Sequence, residues 1–345
     1  MMSPTGLIAW MKSSLSWMRK KGSRVWMNND QIEAFGDLVS RADRILIISH
    51  IRPDGDAVGS TLGLGLILEE LGKEISLVLE DGVPKVFNHL TGSDRIIREA
   101  IGVFDLVIVV DCSDIERIGS VLDEFGEPDV NIDHHPTNTH FAKLNLVRDD
   151  AVATAEIIFD LAQELAFPLN LPIAEALLTG LLTDSLGFRT SNSNPQTLRI
   201  AAELMEIGAN LPFLYRKAML EKSIWAVKYW GQGLSRIQME DRLVWTSLTL
   251  EDRIAANYPG RDDADLINVL ARIKETDISI VFVEQKNGSV KVSWRSRPGF
   301  DVSSIATQFG GGGHMPAAGA DIKGDLDRVQ QEVLEATRKS LQKSE

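Results

Sequence analysis

The chain has 345 residues, and 36 Lys plus Arg against 49 Asp plus Glu leave a formal net charge of −13. A chain this acidic does not coat long nucleic acid electrostatically, so any nucleic-acid role is confined to a local site. With 44% hydrophobic and 25% charged residues it matches ordinary globular proteins, which excludes a largely disordered chain, and at roughly 100 to 200 residues per domain the length suggests two domains.

The first 26 residues hold Lys12, Arg19, Lys20, Lys21 and Arg24 with no acid, together with Trp10, Trp17 and Trp26. Their apolar run, residues 7–11, is too short for a secretory h-region. Leu7, Ile8, Met11, Leu15 and Met18 share one helical face, as a surface-lying helix requires. The plainer reading is an upstream start or a disordered leader ahead of Met27. From residue 31 short β-rich runs alternate with helical ones: strands are expected at 45–48, 75–79, 106–110 and 130–132, with a helix at 61–71. Strands alternating with helices imply a parallel sheet, and a continuous run such as Leu-Val-Ile-Val-Val reads as a strand buried on both faces. Helices follow at about 153–166 and 173–183. Ser191-Asn192-Ser193-Asn194-Pro195 then breaks the pattern, and a longer helical region runs on to about residue 232.

Beyond that the character changes. Residues 243–249, 278–284 and 290–294 read as strands, with Asn287-Gly288 as the hairpin turn between the last two. Residues 266–273 and 326–341 read as helices, the second capped by Asp325 and apolar at Leu326, Val329, Val333 and Leu341. The expected organisation is a basic leader at 1–26, a parallel-sheet α/β domain with helices on both faces at 27–195, a helical linker at 196–235, and a smaller α+β domain with a mixed sheet at 236–345. The lone Cys112 excludes an internal disulfide framework and fits a reducing compartment. Apolar stretches such as 106–110 fall far short of the roughly 18 residues of a membrane helix. A soluble, cytoplasmic protein with no membrane partner is expected.

The acids and histidines gather where these runs end. Residues 45–48 lead into Ser49-His50-Ile51-Arg52-Pro53-Asp54-Gly55-Asp56, 106–110 into Asp111, 130–132 into Asp133-His134-His135, and the run 177–183 into Asp184. In open α/β sheets ligands bind beyond the carboxyl ends of the strands, so these segments can converge on one point. So many carboxylates repel one another severely unless cations neutralise them, and the convergence therefore implies metal. Carboxylates with a few imidazoles suit Mn²⁺ or Mg²⁺ better than zinc, and six good ligands suit two ions, the usual arrangement for phosphate-ester hydrolysis. Taken alone, His50-x-x-x-Asp54-x-Asp56 reads as a capped loop; its company makes it a metal site. Further along, four glycines, 310–313, can let backbone N–H groups crowd an anion, with His314 as a donor at the rim, and Arg295 and Arg297 alternate along a strand as a fork for phosphate.

These motifs resemble the DHH phosphoesterases, in the branch with a C-terminal DHH-associated domain. His50-x-x-x-Asp54-x-Asp56 looks like the first motif, Asp111 the second, Asp133-His134-His135 the third, Asp184 in Leu-Thr-Asp-Ser-Leu-Gly-Phe-Arg the fourth, and Gly310-Gly-Gly-Gly-His314-Met-Pro-Ala-Ala-Gly319 the signature of the associated domain. The resemblance implies that the active site lies in an inter-domain cleft. It implies that His50 and Asp54 hold one Mn²⁺ and Asp56, His134 and Asp184 the other, with Asp111 bridging; Mg²⁺ or Co²⁺ are substitutes. It assigns His135 to the scissile phosphate, with Asp133 orienting an imidazole, and Gly311, Gly312, Gly313, His314, Arg295 and Arg297 to substrate, with Arg189 and Asn138 as further phosphate contacts. The implied activity is hydrolysis of short RNA oligonucleotides, together with removal of the 3′-phosphate from adenosine 3′,5′-bisphosphate (pAp), and a homodimer is compatible with it. Hydrolysis of cyclic di-AMP, linear dinucleotides, pyrophosphate or polyphosphate within the same superfamily is the alternative, and a non-catalytic nucleotide-binding regulator the second.

Overall fold

The apolar runs that end in acids form the middle of a five-stranded parallel sheet in the computed structural model, which describes residues 28–342. The basic segment 1–26 lies outside the described residues. The chain divides into two units, one running to Glu221 and one from Lys222.

In the first unit the strands β1 (Arg44–Ile48), β2 (Glu74–Val78), β3 (Leu106–Val110), β4 (Val130–Asp133) and β5 (Leu144–Val147) lie in the order β2-β1-β3-β4-β5, every pair parallel. All five residues of β3 are buried, as an uninterrupted apolar run in mid-sheet requires. Ile45, Ile47, Ile108, Val110 and Ile132 pack into the larger core with the α-helices. The opposite face, with Leu46, Ile48, Val107 and Val109, is covered by Ile118, Val121 and Leu122 from two short 3₁₀ turns.

The helices of this unit are α1 (Asn29–Arg41), α2 (Gly55–Glu70), α3 (Thr154–Glu164), α4 (Leu171–Asp184), α5 (Pro195–Ile207) and the single turn α6 (Leu211–Tyr215). Helix α1 and strand β5 were not among the expected elements. Only Phe35 and Val39 of α1 are buried, too sparse a stripe to announce a helix, and β5 is a four-residue edge strand interrupted by Asn145. Helix α2 begins six residues before the expected start because the Asp54 carboxylate caps it, accepting from the N–H groups of Asp56 and Ala57 at 3.0 Å each. Its glycines weaken helix propensity but let it lie against α4: a Cβ on Gly59 would stand 2.5 Å from the Ala176 carbonyl oxygen. That close antiparallel contact brings the start of α2 to the end of α4.

The second unit holds α7 (Ile224–Leu234), β6 (Gln238–Glu240), β7 (Leu243–Leu248), α8 (Leu250–Ala255), α9 (Leu266–Leu270), β8 (Ile278–Glu284), β9 (Ser289–Ser296), α10 (Ser303–Gln308), β10 (Gly312–His314), β11 (Ala317–Lys323) and α11 (Leu326–Gln342). Its six strands run β10-β11-β9-β8-β7-β6, with β7 and β8 parallel and the other pairs antiparallel, a mixed sheet. Asn287-Gly288 turns β8 into β9, Gly288 at φ 74°. The stretch 196–235 divides between the two cores: Ile200 and Leu204 are buried in the first, Ala226 and Tyr229 in the second. Among the described residues no helix is long and apolar enough to cross a membrane.

Candidate active site

Three neighbouring strands deliver the ligand candidates at their carboxyl ends. His50 stands two residues after β1, Asp111 directly after β3, and His134 and His135 directly after β4. Asp184 differs, because it ends a helix, α4, rather than a strand. The α2–α4 contact is what carries it to the same place, and at a helix C-terminus its charge is unfavourable unless a cation stands nearby.

The distances are those of a shared centre. His50 Nε2 lies 3.6 Å from Asp111 Oδ2, His134 Nε2 lies 3.6 Å from Asp111 Oδ1 and 3.5 Å from Asp184 Oδ2, and His135 Nδ1 lies 3.8 Å from Asp111 Oδ1. The ligand atoms of His50, Asp54 and Asp111 all fall within 4.8 Å of one another, as do those of Asp111, His134 and His135. Two atoms bound to one ion at ~2.1 Å and 90–120° apart are separated by about 3.0–3.6 Å, so the gaps at His50, His134 and Asp184 fit an intervening cation better than direct hydrogen bonds, whereas His135 Nδ1 is taken by Asp133. Asp111 itself sits at φ 54°, a left-handed backbone held by its N–H donating to the Ile132 carbonyl at 2.9 Å.

Burial sharpens the electrostatics. Asp56 and Asp111 are each 1% exposed. Burial first, then the charges of Asp111, Asp184 and Asp54, push the Asp56 carboxyl well above its usual range, and burial with Asp111 and Asp54 does the same to Asp184. Asp111 goes the other way: burial would raise it, but the His50 partner and the charges of His135 and His134 hold it well below the ordinary value. One buried carboxylate is thus ionised while its neighbours resist ionisation, a cluster short of positive charge. His134 is pushed down by burial. At His135 burial is overcome by the hydrogen bond to Asp133 and the charge of Asp111, raising the ring to about 9.

A second set of groups orients the first. Asp133 Oδ1 accepts from His135 Nδ1 at 2.7 Å, and Asp133 Oδ2 accepts from Asn138 Nδ2 at 2.7 Å. Asn138 also reaches Asn131 Oδ1 at 2.7 Å, so its amide is engaged in holding Asp133 rather than extended toward a ligand. Asp56 accepts from Ser60 Oγ and from the N–H groups of Thr154 and Ala155, at 3.0, 2.6 and 3.1 Å, which satisfies the start of α3, where Ala153 offers no side-chain cap. Each carboxylate oxygen has two lone pairs, so this capping leaves one on Asp56 Oδ2. Asn131 and Thr154 had no signal in the sequence, because their partners come from other elements.

The substrate candidates of the second unit are more engaged than their motif suggests. Arg295 is half-buried, its Nε donating to Asn268 Oδ1 at 3.2 Å and its guanidinium to the Trp294 carbonyl at 2.9 Å. Arg297 falls just past β9 and donates to the carbonyls of Ile273 and Lys274 at 3.1 and 2.7 Å. Gly310, at φ 72°, ends α10, and a Cβ on Gly311 or Gly313 would stand 2.2 or 2.5 Å from a backbone oxygen of β11. Gly312 alone of the four has neither a positive φ nor a neighbour within 4 Å. His314 pairs with Ala317 through its backbone, and its side chain lies outside the described residues. Arg189 is exposed in the turn after α4, its Nε donating to the Leu186 carbonyl at 2.8 Å.

Family comparison agrees with this geometry. The DHH family, N-terminal domain, matches residues 44–181, and the DHHA1 domain matches residues 253–343. The bifunctional oligoribonuclease and PAP phosphatase NrnA of Thermus thermophilus is 36% identical over 303 residues, 86% of this chain and 90% of that protein. The Mycoplasma genitalium protein of the same name is 29% identical over 299 residues, 82% of this chain and 90% of that one. The crystal structure of an exopolyphosphatase-related protein from Bacteroides fragilis superposes with a TM-score of 0.85 at 26% identity, covering 93% of this chain and 98% of the other. With both domains matched in order and a relative this similar along most of its length, the chain belongs to the DHH family and carries the DHHA1 domain after its DHH domain.

Proposed function

We propose that the chain is a metal-dependent phosphoesterase that hydrolyses short oligoribonucleotides to mononucleotides and also removes the 3′-phosphate of pAp. The observation that carries this reading is the Asp111 carboxylate, whose Oδ2 faces His50 and whose Oδ1 faces His134, each at 3.6 Å. His50 and Asp54 would hold one ion and Asp56, His134 and Asp184 the other, with Asp111 shared. Mn²⁺ suits this oxygen-rich set without thiolates, with Mg²⁺ or Co²⁺ as substitutes. A pair of divalent ions in such a set supplies Lewis acidity, neutralising a phosphoryl group and acidifying a water toward neutral pH.

The chain's own contribution is orientation and a proton. Asp133 fixes His135 through Nδ1, so the ring presents Nε2, and the Asp133 carboxylate, against the opposing effect of burial, favours the protonated ring. Its Nε2–H can donate to a phosphoryl oxygen and release a proton to the departing oxygen. In the second unit Arg295, the glycine hairpin at Gly312 and His314 take the substrate's far phosphate or terminal nucleotide. The net charge of −13 disfavours longer RNA. The test is a panel with Mn²⁺: a dinucleotide, a long RNA, pAp, cyclic di-AMP and pyrophosphate at equal concentration. The dinucleotide and pAp turn over fastest; faster hydrolysis of pyrophosphate, cyclic di-AMP or the long RNA contradicts the proposal.

A further inference from the structure

Thr154 is fully buried at the first position of α3, and its hydroxyl donates to Asp111 Oδ1 at 3.0 Å across 43 residues of sequence. Its place is set independently of Asp111. The loop before α3 is tied to the end of β4 by the Arg148 N–H on the Asp133 carbonyl, at 3.0 Å. The Arg148 guanidinium, 5% exposed at the side chain, joins Glu156 and Asp160 of α3 at 2.6 and 2.5 Å, and Glu156 accepts from Thr197 Oγ1 at 2.9 Å. The N–H of Thr154 is meanwhile held by Asp56. The hydroxyl therefore comes from a rigid corner, while the carboxylate it meets has three imidazoles at 3.6 to 3.8 Å. Without a fixed donor the Asp111 carboxyl is free to turn about its Cβ–Cγ bond, and the orientation that faces one oxygen to His50 and the other to His134 is no longer held.

We propose that Thr154 is a positioning residue of the metal centre, its hydroxyl fixing the Asp111 carboxylate so that one oxygen faces each ligand set. This rests on the two-ion reading above. Thr154→Val keeps the shape and removes the hydroxyl; Thr154→Ser keeps the hydroxyl. The proteins are stripped of metal, checked for folding by circular dichroism, and titrated with Mn²⁺ by calorimetry and electron paramagnetic resonance. Wild type and Thr154→Ser take up two ions with an exchange-coupled spectrum. Thr154→Val binds the second ion about 10- to 100-fold more weakly and shows the uncoupled signal of a single site. Should the valine variant fail to fold, Thr154→Ala takes its place as the variant without the hydroxyl. Two coupled ions at wild-type affinity in a folded variant lacking the hydroxyl, or loss of coupling in Thr154→Ser, overturns the role of Thr154 alone. A wild-type protein that binds a single ion overturns the two-ion reading and this role with it.

Discussion

The two units carry their motifs differently. In the first, most motif residues are buried reactive groups that converge on one another, with Asp54 exposed at the edge: Asp111 is 1% exposed, His50 3% and His134 8%. In the second, much of the motif builds the fold. Gly311 and Gly313 admit the backbone of β11, and Arg297 caps carbonyls beyond α9. Residue identity in the first unit is dictated by chemistry that the fold must accommodate, and in the second largely by backbone approach. Substitutions should therefore separate activity from stability in opposite ways.

The largest effect is expected at His135. His135→Gln should lower kcat by about 10²- to 10⁴-fold with unfolding unchanged. Asp133→Asn sharpens the point through pH. His135 is pushed above the ordinary imidazole value, so its protonated form, and any activity that needs it, is present on the acid side of the alkaline limb and lost as pH rises through it. Removing the Asp133 charge, while the amide oxygen can still accept from Nδ1, weakens what opposes burial, and the alkaline limb of the kcat profile should move to lower pH; an unmoved limb would assign that proton elsewhere.

Asp56 blurs the division, because it also caps α3 from another helix. Asp56→Ala should lower the unfolding free energy of metal-free protein by about 2–4 kcal/mol, measured in denaturant, since it orphans two buried N–H groups. Asp56→Asn, which keeps an acceptor and removes a charge that burial disfavours, should be milder. In the second unit Gly311→Ala should cost about 1–3 kcal/mol of stability through overpacking, whereas Gly312→Ala should leave unfolding unchanged and raise KM for a dinucleotide. Equal destabilisation by both would erase the contrast within the glycine run. The smallest effect is expected at Cys112, whose buried thiol is pushed up to about 12. It should resist alkylation by iodoacetamide at pH 8 in the folded protein.

The sequence made the first unit legible because strand ends are marked twice, by apolar runs that stop and by reactive residues that follow. Residues 106–110 and 130–132 fall on β3 and β4, and the ligand candidates Asp111 and His134 follow within two residues. What stayed hidden depends on contacts between distant segments. Asp184 follows a run expected to be helical and does end a helix, so the strand-end pattern does not account for it; the α2–α4 packing brings it to the strand ends. The resemblance makes Asn138 a phosphate contact, but its amide is bonded to Asp133 and Asn131, partners five and seven residues back that no local pattern selects. The arginines look alike in sequence, yet Arg295 lies within β9 and Arg297 beyond its end.

The most direct measurement is the Mn²⁺ stoichiometry and dinucleotide turnover of wild type and Asp111→Asn after chelation and return of metal. The substitution keeps the Oδ1 acceptor for Thr154 and removes the second shared oxygen. Two ions with turnover in wild type, and at most one ion with turnover abolished in a folded Asp111→Asn, is the predicted result. Two ions and near-wild-type turnover in the variant would contradict a centre built around a shared Asp111.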